Sequence, residues 1–451
     1  MITDLAPLVA TDEEYGKPRA GPEAPFRVVV VGAGFGGYHA TRVLCRKLDK
    51  SEASITLVSD TDGTLYQPLL PDVAAGAVDP RAANVPLSGT LRSARVVRGR
   101  ATGLDLEART LEVASRTGSH AISYDYLLLA PGGVTRTFDI PGLAEHAIGF
   151  KTTAEALYLR EHVLGRLEAA NAQAAPREPL TFIVVGAGYA GTELAAQMSR
   201  LTRHLLPAFP DVGEVRWLLI DHSRSVMPEL GNWLGERAVV LLRRRGVDVR
   251  HETSIARIDD RTVELTDGTT IDGATVIWCA GVAANPLVAT LGLPLTKGRL
   301  VVSPTLDVPD HPSLFAVGDA AAVPDLSRAT EAGAICPPTA QHAMRQGPAA
   351  ARNIVARIRG RNLCPYRHRD LGLVVDLGGG AAVAKPLGVP LSGWPAKALT
   401  RGYHVYALPT ARRRLMALTG WTLAGQRPDD VSFGLLDLEQ ALAAKSEHAL
   451  S

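Results

Sequence analysis

The chain has 451 residues, of which 46% are hydrophobic, and its formal net charge is +2 at pH 7. This length and apolar content predict two or three domains with separate cores. A nearly neutral chain without a recognisable reader motif is not expected to bind nucleic acid. Neither the cysteines nor the histidines show metal-ligand spacing. The four cysteines lie far apart, at Cys45, Cys279, Cys336 and Cys364. We therefore expect no metal site.

Residues 1–25 mix acidic residues, proline and glycine without periodicity, which predicts a disordered extension. From Phe26 onward, apolar β-branched runs alternate with alanine- and leucine-rich stretches, a pattern typical of a largely parallel sheet flanked by helices. The predicted fold class is α/β. The strand-turn-helix sequence RVVVVGAGFGG recurs as TFIVVGAGYAGTELA after the linker NAQAAPREPL. This recurrence predicts two Rossmann-like dinucleotide-binding domains followed by a C-terminal helical segment.

The order of these segments predicts that the second dinucleotide domain is inserted in the first. A late buried strand, SLFAV, follows the second unit and falls in the second part of the first domain. We expect the extension at 1–25, the first domain at 26–150 and 285–385, the inserted domain at 151–284, and the C-terminal segment at 386–451.

Both glycine-rich turns carry the spacing G-x-G-x-x-G directly after an apolar strand. The spacing falls on Gly32, Gly34 and Gly37 in the first turn, and on Gly186, Gly188 and Gly191 in the second. Such a turn lets the backbone approach a pyrophosphate at the N-terminus of a helix. One copy alone could be an ordinary glycine-rich turn, but two copies in the same context favour two bound dinucleotides.

The residue that binds the ribose is expected at the end of the next strand, roughly 20 residues after the turn. In the second copy this residue is Asp221, whose carboxylate would accept both ribose hydroxyls and repel a 2′-phosphate. This predicts NADH rather than NADPH, although Arg224 lies close enough in sequence to soften the preference. In the first copy Ser59 and Asp60 are the candidates, and the alternative is that neither touches ribose.

A third signal is the pair Gly318 and Asp319, which follows the buried strand SLFAV. The glycine would allow a sharp turn, and the carboxylate could bind the hydroxyls of a sugar-like chain. Alone, the pair could be an ordinary polar turn. Together with a glycine-rich unit in the same chain, it favours the ribityl chain of FAD over a second nicotinamide nucleotide.

At these motifs the chain resembles the pyridine nucleotide and flavin reductases, and within them the type II NADH dehydrogenases. The resemblance extends from about Phe26 to about Ala424 and is carried by VVVVGAGFGG with TLYQPLLPDVAAG, VVGAGYAGTELA, SLFAVGDAA and CPPTAQHAMRQG. It implies FAD as the cofactor, NADH as the substrate and quinone as the electron acceptor, without proton pumping.

The resemblance also implies roles for individual residues. Ala340 and Gln341 would lie beside the flavin and at the quinone entrance, and Gln67 falls in a segment near the flavin. Glu193 matches a glutamate close to the site where nicotinamide stacks on the isoalloxazine. Arg345 stands where the family usually has a second glutamine, and its helical spacing predicts that it lines the same pocket as Gln341.

The C-terminal segment is predicted to lie on a membrane surface. From Lys385 to Pro428 the sequence has seven lysines and arginines, interspersed with tryptophan, tyrosine and leucine, and no acidic residue. Cations among apolar and aromatic residues are typical of interfacial segments that meet anionic lipids. The alternative is a helix pair packed on the protein body or on a second subunit in a homodimer. The resemblance favours peripheral attachment, which we expect at the cytoplasmic face of the membrane.

Several alternatives concern the electron acceptor. A soluble NAD(P)H-dependent flavin reductase with a non-quinone acceptor is the main one, because Arg345 departs from the family at the acceptor side. A disulfide reductase would need a closely spaced cysteine pair, which the sequence lacks, and a sulfide:quinone oxidoreductase would have to use distant cysteines. A flavin-containing signalling protein is a further possibility. The proton donor to a quinone is left open among Glu193, Arg345, His342 and water.

Overall fold

The structure is a computed structural model that describes residues 24–172, 179–328 and 333–423. The predicted disordered extension lies, except for residues 24 and 25, outside the described residues, and so do most of the linker and the end of the C-terminal segment. The chain divides into two compact units. Unit 1 takes the residues up to Thr64 with Pro86–Val134 and Val282–Arg369, and unit 2 takes Leu65–Val85, Thr135–Gly281 and the residues from Asp370 onward.

The helices and strands follow one another along the chain in three stretches. The first stretch contains β1 (Phe26–Val31), α1 (Phe35–Lys47), β2 (Ala53–Ser59), β3 (Gly63–Leu65), α2 (Leu70–Ala74), α3 (Pro80–Ala83), β4 (Asn84–Pro86), α4 (Leu87–Thr90), β5 (Arg95–Arg98), β6 (Arg100–Asp105), β7 (Thr110–Ser115), β8 (Gly118–Ser123), β9 (Tyr126–Leu129), β10 (Gly133–Thr135), α5 (Leu143–His146) and β11 (Ile148–Gly149). The second contains α6 (Thr153–Asn171), β12 (Leu180–Val185), α7 (Tyr189–Leu205), β13 (Val215–Ile220), α8 (Asn232–Arg243), β14 (Val247–Arg250), β15 (Ile255–Ile258), β16 (Thr262–Leu265), β17 (Thr270–Asp272), β18 (Thr275–Trp278) and β19 (Val282–Ala284). The third contains β20 (Leu295–Thr296), β21 (Arg299–Val301), β22 (Asp307–Val308), β23 (His311–Ala316), β24 (Ala321–Ala322), α9 (Ala340–Ile358), β25 (Val374–Asp376), β26 (Ala382–Ala384), β27 (Leu391–Ser392), α10 (Trp394–Ala407) and α11 (Ala411–Leu423).

Unit 1 is built on a six-stranded sheet with the order β22-β23-β9-β1-β2-β5, parallel except for the short edge strand β22. The last four residues of β1 are valines and are buried, as expected for a central strand covered on both faces. Helices α1 and α9 pack closely because glycines meet where they touch. A Cβ on Gly347 would lie 2.1 Å from the carbonyl oxygen of Gly36.

Unit 2 is built on a five-stranded parallel sheet with the order β11-β18-β12-β13-β14. In its core, the rings of Phe182 and Trp217 stack with their centroids 4.7 Å apart. The indole nitrogen of Trp217 donates a hydrogen bond of 3.0 Å to the hydroxyl of Thr202 in α7, which satisfies its buried polar atom. The unit also contains the antiparallel sheet β25-β26-β27 and helices α10 and α11.

The predicted α/β class is thus confirmed, with one largely parallel sheet in each unit and helices near the C-terminus. Among the residues that the structure describes, no helix is long and apolar enough to cross a membrane.

Candidate functional site

The first glycine-rich turn joins β1 to α1, and its three glycines have different reasons to lack a side chain. Gly32 has a φ of +91°, and a Cβ there would lie 2.2 Å from the carbonyl oxygen of Ala130. A Cβ on Gly37 would lie 1.8 Å from the carbonyl oxygen of Gly32. A Cβ on Gly34, by contrast, would meet no atom within 4 Å beyond its neighbours along the chain. Packing of the chain therefore requires the outer glycines, whereas the middle one faces open space at a helix N-terminus.

The second turn, between β12 and α7, repeats this arrangement. Gly186 has a φ of +103°, and a Cβ on Gly191 would lie 2.0 Å from the carbonyl oxygen of Gly186. A Cβ on Gly188 would again meet no atom within 4 Å beyond its neighbours along the chain. The N-terminus of α7 thus borders open space at Gly188, and such a space suits an anionic group.

Asp221 follows β13 and is hydrogen-bonded to the second turn. Its Oδ2 accepts from the backbone N–H of Ala187 at 2.6 Å, and its Oδ1 accepts from the N–H of Ser223 at 2.7 Å. The carboxylate therefore lies beside the glycine-rich turn, where the ribose of a dinucleotide is expected. Arg224, the possible partner of a 2′-phosphate, forms an ion pair of 2.9 Å with Glu252 and is largely exposed.

The corresponding position after β2 has a different chemistry. Ser59 is buried, and its hydroxyl oxygen accepts from the backbone N–H of Thr61 at 3.3 Å. Asp60, the next residue, is exposed. The end of the strand after the first turn therefore carries the Ser59 hydroxyl. The equivalent position after the second turn carries the Asp221 carboxylate.

Gly318 and Asp319 form a tight turn directly after β23. Gly318 has a φ of +72°, and its N–H donates a hydrogen bond of 2.8 Å to Oε1 of Gln346 in α9. The Gln346 side chain is almost fully buried, with an exposed fraction of 1%. Gln346 thus holds the turn in place, a role that the sequence did not reveal. The one signal in the sequence is that Gln346 lies on the same predicted helix as the quinone residues.

Helix α9 brings the predicted acceptor residues together. It begins at Ala340 after the cap Thr339, whose hydroxyl accepts from the backbone N–H of His342. One turn into the helix, Nη1 of Arg345 donates to Oε1 of Gln341 at 3.2 Å. Gln341 and Arg345 therefore share one face of α9, and their side chains touch.

Glu193 lies in α7, two residues after the second turn, within a buried group of ionisable side chains. Its Oε1 accepts from the backbone N–H of Asp376 at 2.6 Å, and the Asp376 carboxylate pairs with the ammonium group of Lys397. Burial raises the pKa of Glu193 well above its usual value, and the charges of Asp376 and Asp72 add to this effect. The buried Glu193 carboxyl therefore holds a proton more tightly than a carboxyl in water.

Asp72, in α2, completes this buried group. Its Oδ1 accepts from Nε2 of Gln197 and from Nε1 of Trp421, each at 3.2 Å. Burial is the main cause that raises the pKa of Asp72 to about 7, with a further contribution from the charge of Asp376. Sequence reasoning found Glu193 but missed Asp72, Asp376 and Lys397, because their contacts depend on packing between distant segments.

A cavity of about 360 Å³ adjoins this buried group within unit 2. Its lining combines cations, two tryptophans and the Asp72 carboxylate, and consists of Asp72, Ala77, Gln197, Arg200, Gly379, Gly380, Trp394, Lys397, Ala398, Arg401 and Trp421. The cavity gives the buried ionisable side chains an open neighbouring space.

Gln67 lies in the turn that precedes α2, where its Nε2 donates to the carbonyl oxygen of Lys151 at 3.2 Å. Beside it, the hydroxyl of Tyr66 is 2.9 Å from Nδ1 of His404. Burial lowers the pKa of His404 to about 4, so this imidazole is neutral at physiological pH. Within the described residues, no group of three or more potential ligands is arranged to hold a metal ion.

The comparisons with known proteins agree on one family. Residues 26–347 match the model of the pyridine nucleotide-disulphide oxidoreductases. The chain is 32% identical over 428 residues to the type II NADH:quinone oxidoreductase Ndh of Mycobacterium tuberculosis, covering 90% of this chain and 89% of the relative. It is 29% identical over 406 residues to the demethylphylloquinone reductase NdbB of Synechocystis, covering 88% of this chain and 95% of the relative.

Similar folds occur among solved structures. The structure of NDH2 from Plasmodium falciparum in complex with NADH matches with a TM-score of 0.81 at 17% identity, covering 89% of this chain and 99% of that chain. The sulfide:quinone oxidoreductase of Aquifex aeolicus matches with a TM-score of 0.67 at 21% identity, covering 87% of this chain and 92% of that chain. At these identities, the likeness shows a shared fold.

Proposed function

The chain belongs to the type II NADH:quinone oxidoreductases of the pyridine nucleotide-disulphide oxidoreductase family, and from this membership we infer that it oxidises NADH and reduces a quinone. The observation that carries the proposal is the pair of turns in which Gly34 and Gly188 face open space while the outer glycines are closely packed. Each turn thus leaves room for a phosphate group at a helix N-terminus. Two such sites in one chain fit an enzyme that binds two dinucleotides.

We propose that FAD is held by the first turn and by the Gly318–Asp319 turn of unit 1. The fit is supported by the open space at Gly34 and by the carboxylate of Asp319, which Gln346 helps to position through Gly318. Ser59 and Asp60 remain candidates for its ribose. When bound, FAD would take a hydride from NADH and return the electrons to the quinone.

NADH is proposed to bind the second turn, with its ribose at Asp221. The carboxylate accepts strong hydrogen bonds and repels a 2′-phosphate, which favours NADH over NADPH. The ion pair of Arg224 with Glu252 supports the same preference, because it occupies the nearby guanidinium. Glu193 is proposed to act near the nicotinamide.

At the acceptor side, Gln341 is proposed to hydrogen-bond a quinone oxygen, with Ala340 and Gln67 near the flavin. The reaction of NADH with a quinone consumes one proton besides the hydride, because the quinol carries two hydrogens. The protein must therefore deliver a proton as well as electrons. Arg345 contacts Gln341 directly and is proposed to influence which acceptor binds.

We further propose that α10 and α11 dock on an anionic membrane surface at the cytoplasmic face. Trp394 and Tyr406 are about three-quarters exposed, and Leu415 and Leu423 are also exposed. The surrounding sequence has no acidic residue from Lys385 to Pro428. The same apolar surface could instead meet a second copy in a homodimer. Two measurements separate membrane docking from dimerisation. Docking predicts sedimentation with phosphatidylglycerol vesicles rather than with phosphatidylcholine vesicles, whereas a homodimer predicts twice the molar mass of the chain in solution.

The reaction itself is tested by anaerobic mixing of the purified flavoprotein with NADH, followed by a menaquinone analogue. We expect NADH to bleach the flavin absorbance and the quinone to restore it. Failure of NADH to bleach the flavin would contradict the donor half of the proposal. Restoration by another acceptor, but not by the quinone, would contradict the acceptor half.

The role of Gln341 is tested with Gln341→Leu in the same experiment. The variant should slow reoxidation by quinone and leave flavin reduction by NADH close to wild type. As a matched control, Gln173→Leu makes the same change in the alanine- and proline-rich sequence NAQAAPREPL, which contains none of the proposed site residues. We expect this control to leave both steps unchanged.

A further inference from the structure

A buried arginine in unit 1 joins two segments that lie far from it in the sequence. Arg299, in β21, is 7% exposed. Its Nη1 and Nη2 each donate to the carbonyl oxygen of Cys336 at 3.0 Å, and Nη2 also donates to the carbonyl oxygen of Ala321. These two carbonyl groups are 37 and 22 residues away from the arginine along the chain. The guanidinium therefore bridges the start of β24 and the segment that begins at Cys336.

Each of the two segments leads to a proposed site. Ala321 closely follows the Gly318–Asp319 turn, where FAD is proposed to be held. Cys336 is followed by two consecutive prolines and then by the cap of α9. Because proline restricts the backbone, the position of Cys336 influences the start of the helix that carries Gln341. Arg299 thus lies between the proposed cofactor turn and the proposed acceptor helix.

The two segments also pair with each other through the backbone. The N–H of Cys336 donates to the carbonyl oxygen of Val323 at 2.8 Å. Beside this hydrogen bond, Pro324 and Ile335 form an antiparallel bridge. Arg299 adds its side-chain contacts to this backbone pairing, so the two segments are joined in two ways.

Gln346, in α9, forms a second side-chain link between the same segments. Its Oε1 accepts from the N–H of Gly318 at 2.8 Å. Burial raises the pKa of the Cys336 thiol to about 12, and the charge of Arg299 and a hydrogen bond from the Gln346 side chain oppose this rise. Side chains from β21 and α9 thus converge on Cys336 and on the residues that form and follow the Gly318 turn.

The position of Arg299 is costly for the stability of the fold. Burial lowers the pKa of Arg299, and the charge of Asp319 opposes this change. The buried Nε of Arg299 has no hydrogen-bond partner among the described residues. An apolar side chain would fill such a position without the cost of burying a charge. A planar guanidinium, however, binds two carbonyl oxygens in a fixed geometry, which a single ammonium group does not reproduce.

We propose that Arg299 is a positioning residue that fixes the Gly318–Asp319 turn relative to the start of α9, and thereby sets the geometry of both the FAD site and the acceptor site in unit 1. Loss of the guanidinium therefore weakens FAD retention and quinone binding together. NADH binding is unaffected, because the second glycine-rich turn lies in unit 2. This inference rests on the proposed FAD and quinone sites.

The test compares Arg299→Met and Arg299→Lys with the wild-type holoenzyme. Flavin fluorescence after dilution measures the release of FAD, and calorimetry measures the affinities for a non-reducible quinone analogue and for NAD+. For Arg299→Met we expect FAD release to be about tenfold faster and quinone affinity about tenfold weaker, the effect of about one hydrogen bond from a charged group. Arg299→Lys keeps the charge but not the fork, so its effects should be intermediate. The affinity for NAD+ should stay at the wild-type value in both variants.

A double variant tests whether Arg299 and Gln346 act on the same segments. Gln346→Met alone should also speed FAD release. Combined with Arg299→Met, it should add less than its separate effect, because the segments are already released from each other. Arg166→Met is the matched control, since the Arg166 guanidinium donates to the carbonyl oxygen of Gly273 at 2.9 Å in unit 2, outside the proposed sites. We expect this control to leave FAD release and quinone affinity unchanged.

The outcomes separate positioning from simple structural support. If Arg299→Met lowers the melting temperature but leaves FAD release and quinone affinity at wild-type values, the inference is overturned. Equal weakening of FAD, quinone and NAD+ binding would also overturn it, because it would indicate a general loss of structure. If Arg299→Met does not fold, the same criteria apply to Arg299→Lys. The proposed function fails separately, if the wild-type protein retains no FAD or if NADH does not bleach the flavin.

Discussion

The two glycine-rich turns have the same backbone geometry but different surroundings. In both, the first glycine has a positive φ, the third lies against the carbonyl oxygen of the first, and the middle one faces open space. After the next strand, however, the second turn has the hydrogen-bonded Asp221 and the first has Ser59. The shared glycines thus leave open space at a helix N-terminus in both turns, whereas the residue at the strand end differs.

The helices that follow the turns differ as well. In α1, the buried residues are small, apolar or aromatic except for Thr41. In α7, the buried residues include Glu193 and Gln197, which contact Asp376 and Asp72. The helix after the second turn therefore joins that turn to a buried group of ionisable side chains, and the helix after the first turn does not.

The largest expected effect comes from the outer glycines. Gly37→Ala and Gly191→Ala would each place a Cβ about 2 Å from a backbone oxygen, so we expect each to lower the free energy of unfolding by about 3 kcal/mol or more. Thermal unfolding of the apoprotein measures this loss. Equal stability of Gly37→Ala and wild type would show that the turns are not equivalent in packing.

The middle glycines should separate the two nucleotides. The Cβ of Gly34→Ala or Gly188→Ala would meet no atom within 4 Å beyond its neighbours along the chain, so the apoproteins should unfold near the wild-type temperature. We expect Gly34→Ala to weaken FAD retention and Gly188→Ala to raise the KM for NADH about tenfold, because each Cβ would crowd a pyrophosphate. Flavin content and steady-state kinetics measure these effects. Release of FAD by Gly188→Ala, with an unchanged KM for NADH, would contradict the proposal that the second turn binds NADH.

Asp221→Ser tests the difference at the strand ends by giving the second turn the residue found at the first. The KM for NADH should rise about tenfold, the effect of losing a charge-assisted hydrogen bond, and the relative activity with NADPH should increase. Glu252→Gln, which leaves Asp221 in place but releases Arg224, should lower only the KM for NADPH. An unchanged NADH-to-NADPH ratio in Asp221→Ser would contradict the assignment.

The effect of Asp72→Asn should depend on pH. The pKa of Asp72 is raised from 3.8 in the unfolded chain to about 7 in the folded protein. The folded state binds this proton more tightly than the unfolded chain does. The resulting contribution to the free energy of unfolding is fully present below about pH 4 and is lost as the pH rises toward 7. The melting temperature of Asp72→Asn should therefore fall further below wild type at pH 5 than at pH 8. A difference that grows with pH would contradict the shift.

The enzyme family was predictable from a few short stretches, and the comparisons confirm it. Both glycine-rich turns were predictable because their geometry depends on neighbouring residues. The pairing of Gln341 with Arg345 followed from helical spacing. The hydrogen bond from Gly318 to Gln346 was not predictable, because it depends on how α9 packs on the turn after β23.

The sequence by itself determined the α/β class, the two nucleotide turns and the helix that carries Gln341, since short-range steric and hydrogen-bonding rules specify each of them. Only the tertiary structure decided that Glu193 meets Asp376, 183 residues away, and that His368 meets Arg345, 23 residues away. Contacts between distant segments depend on the packing of whole elements, and burial in those contacts sets the proton affinity of the side chains. The nucleotide turns thus depend on local sequence, whereas the protonation of the groups around them is a property of the folded units.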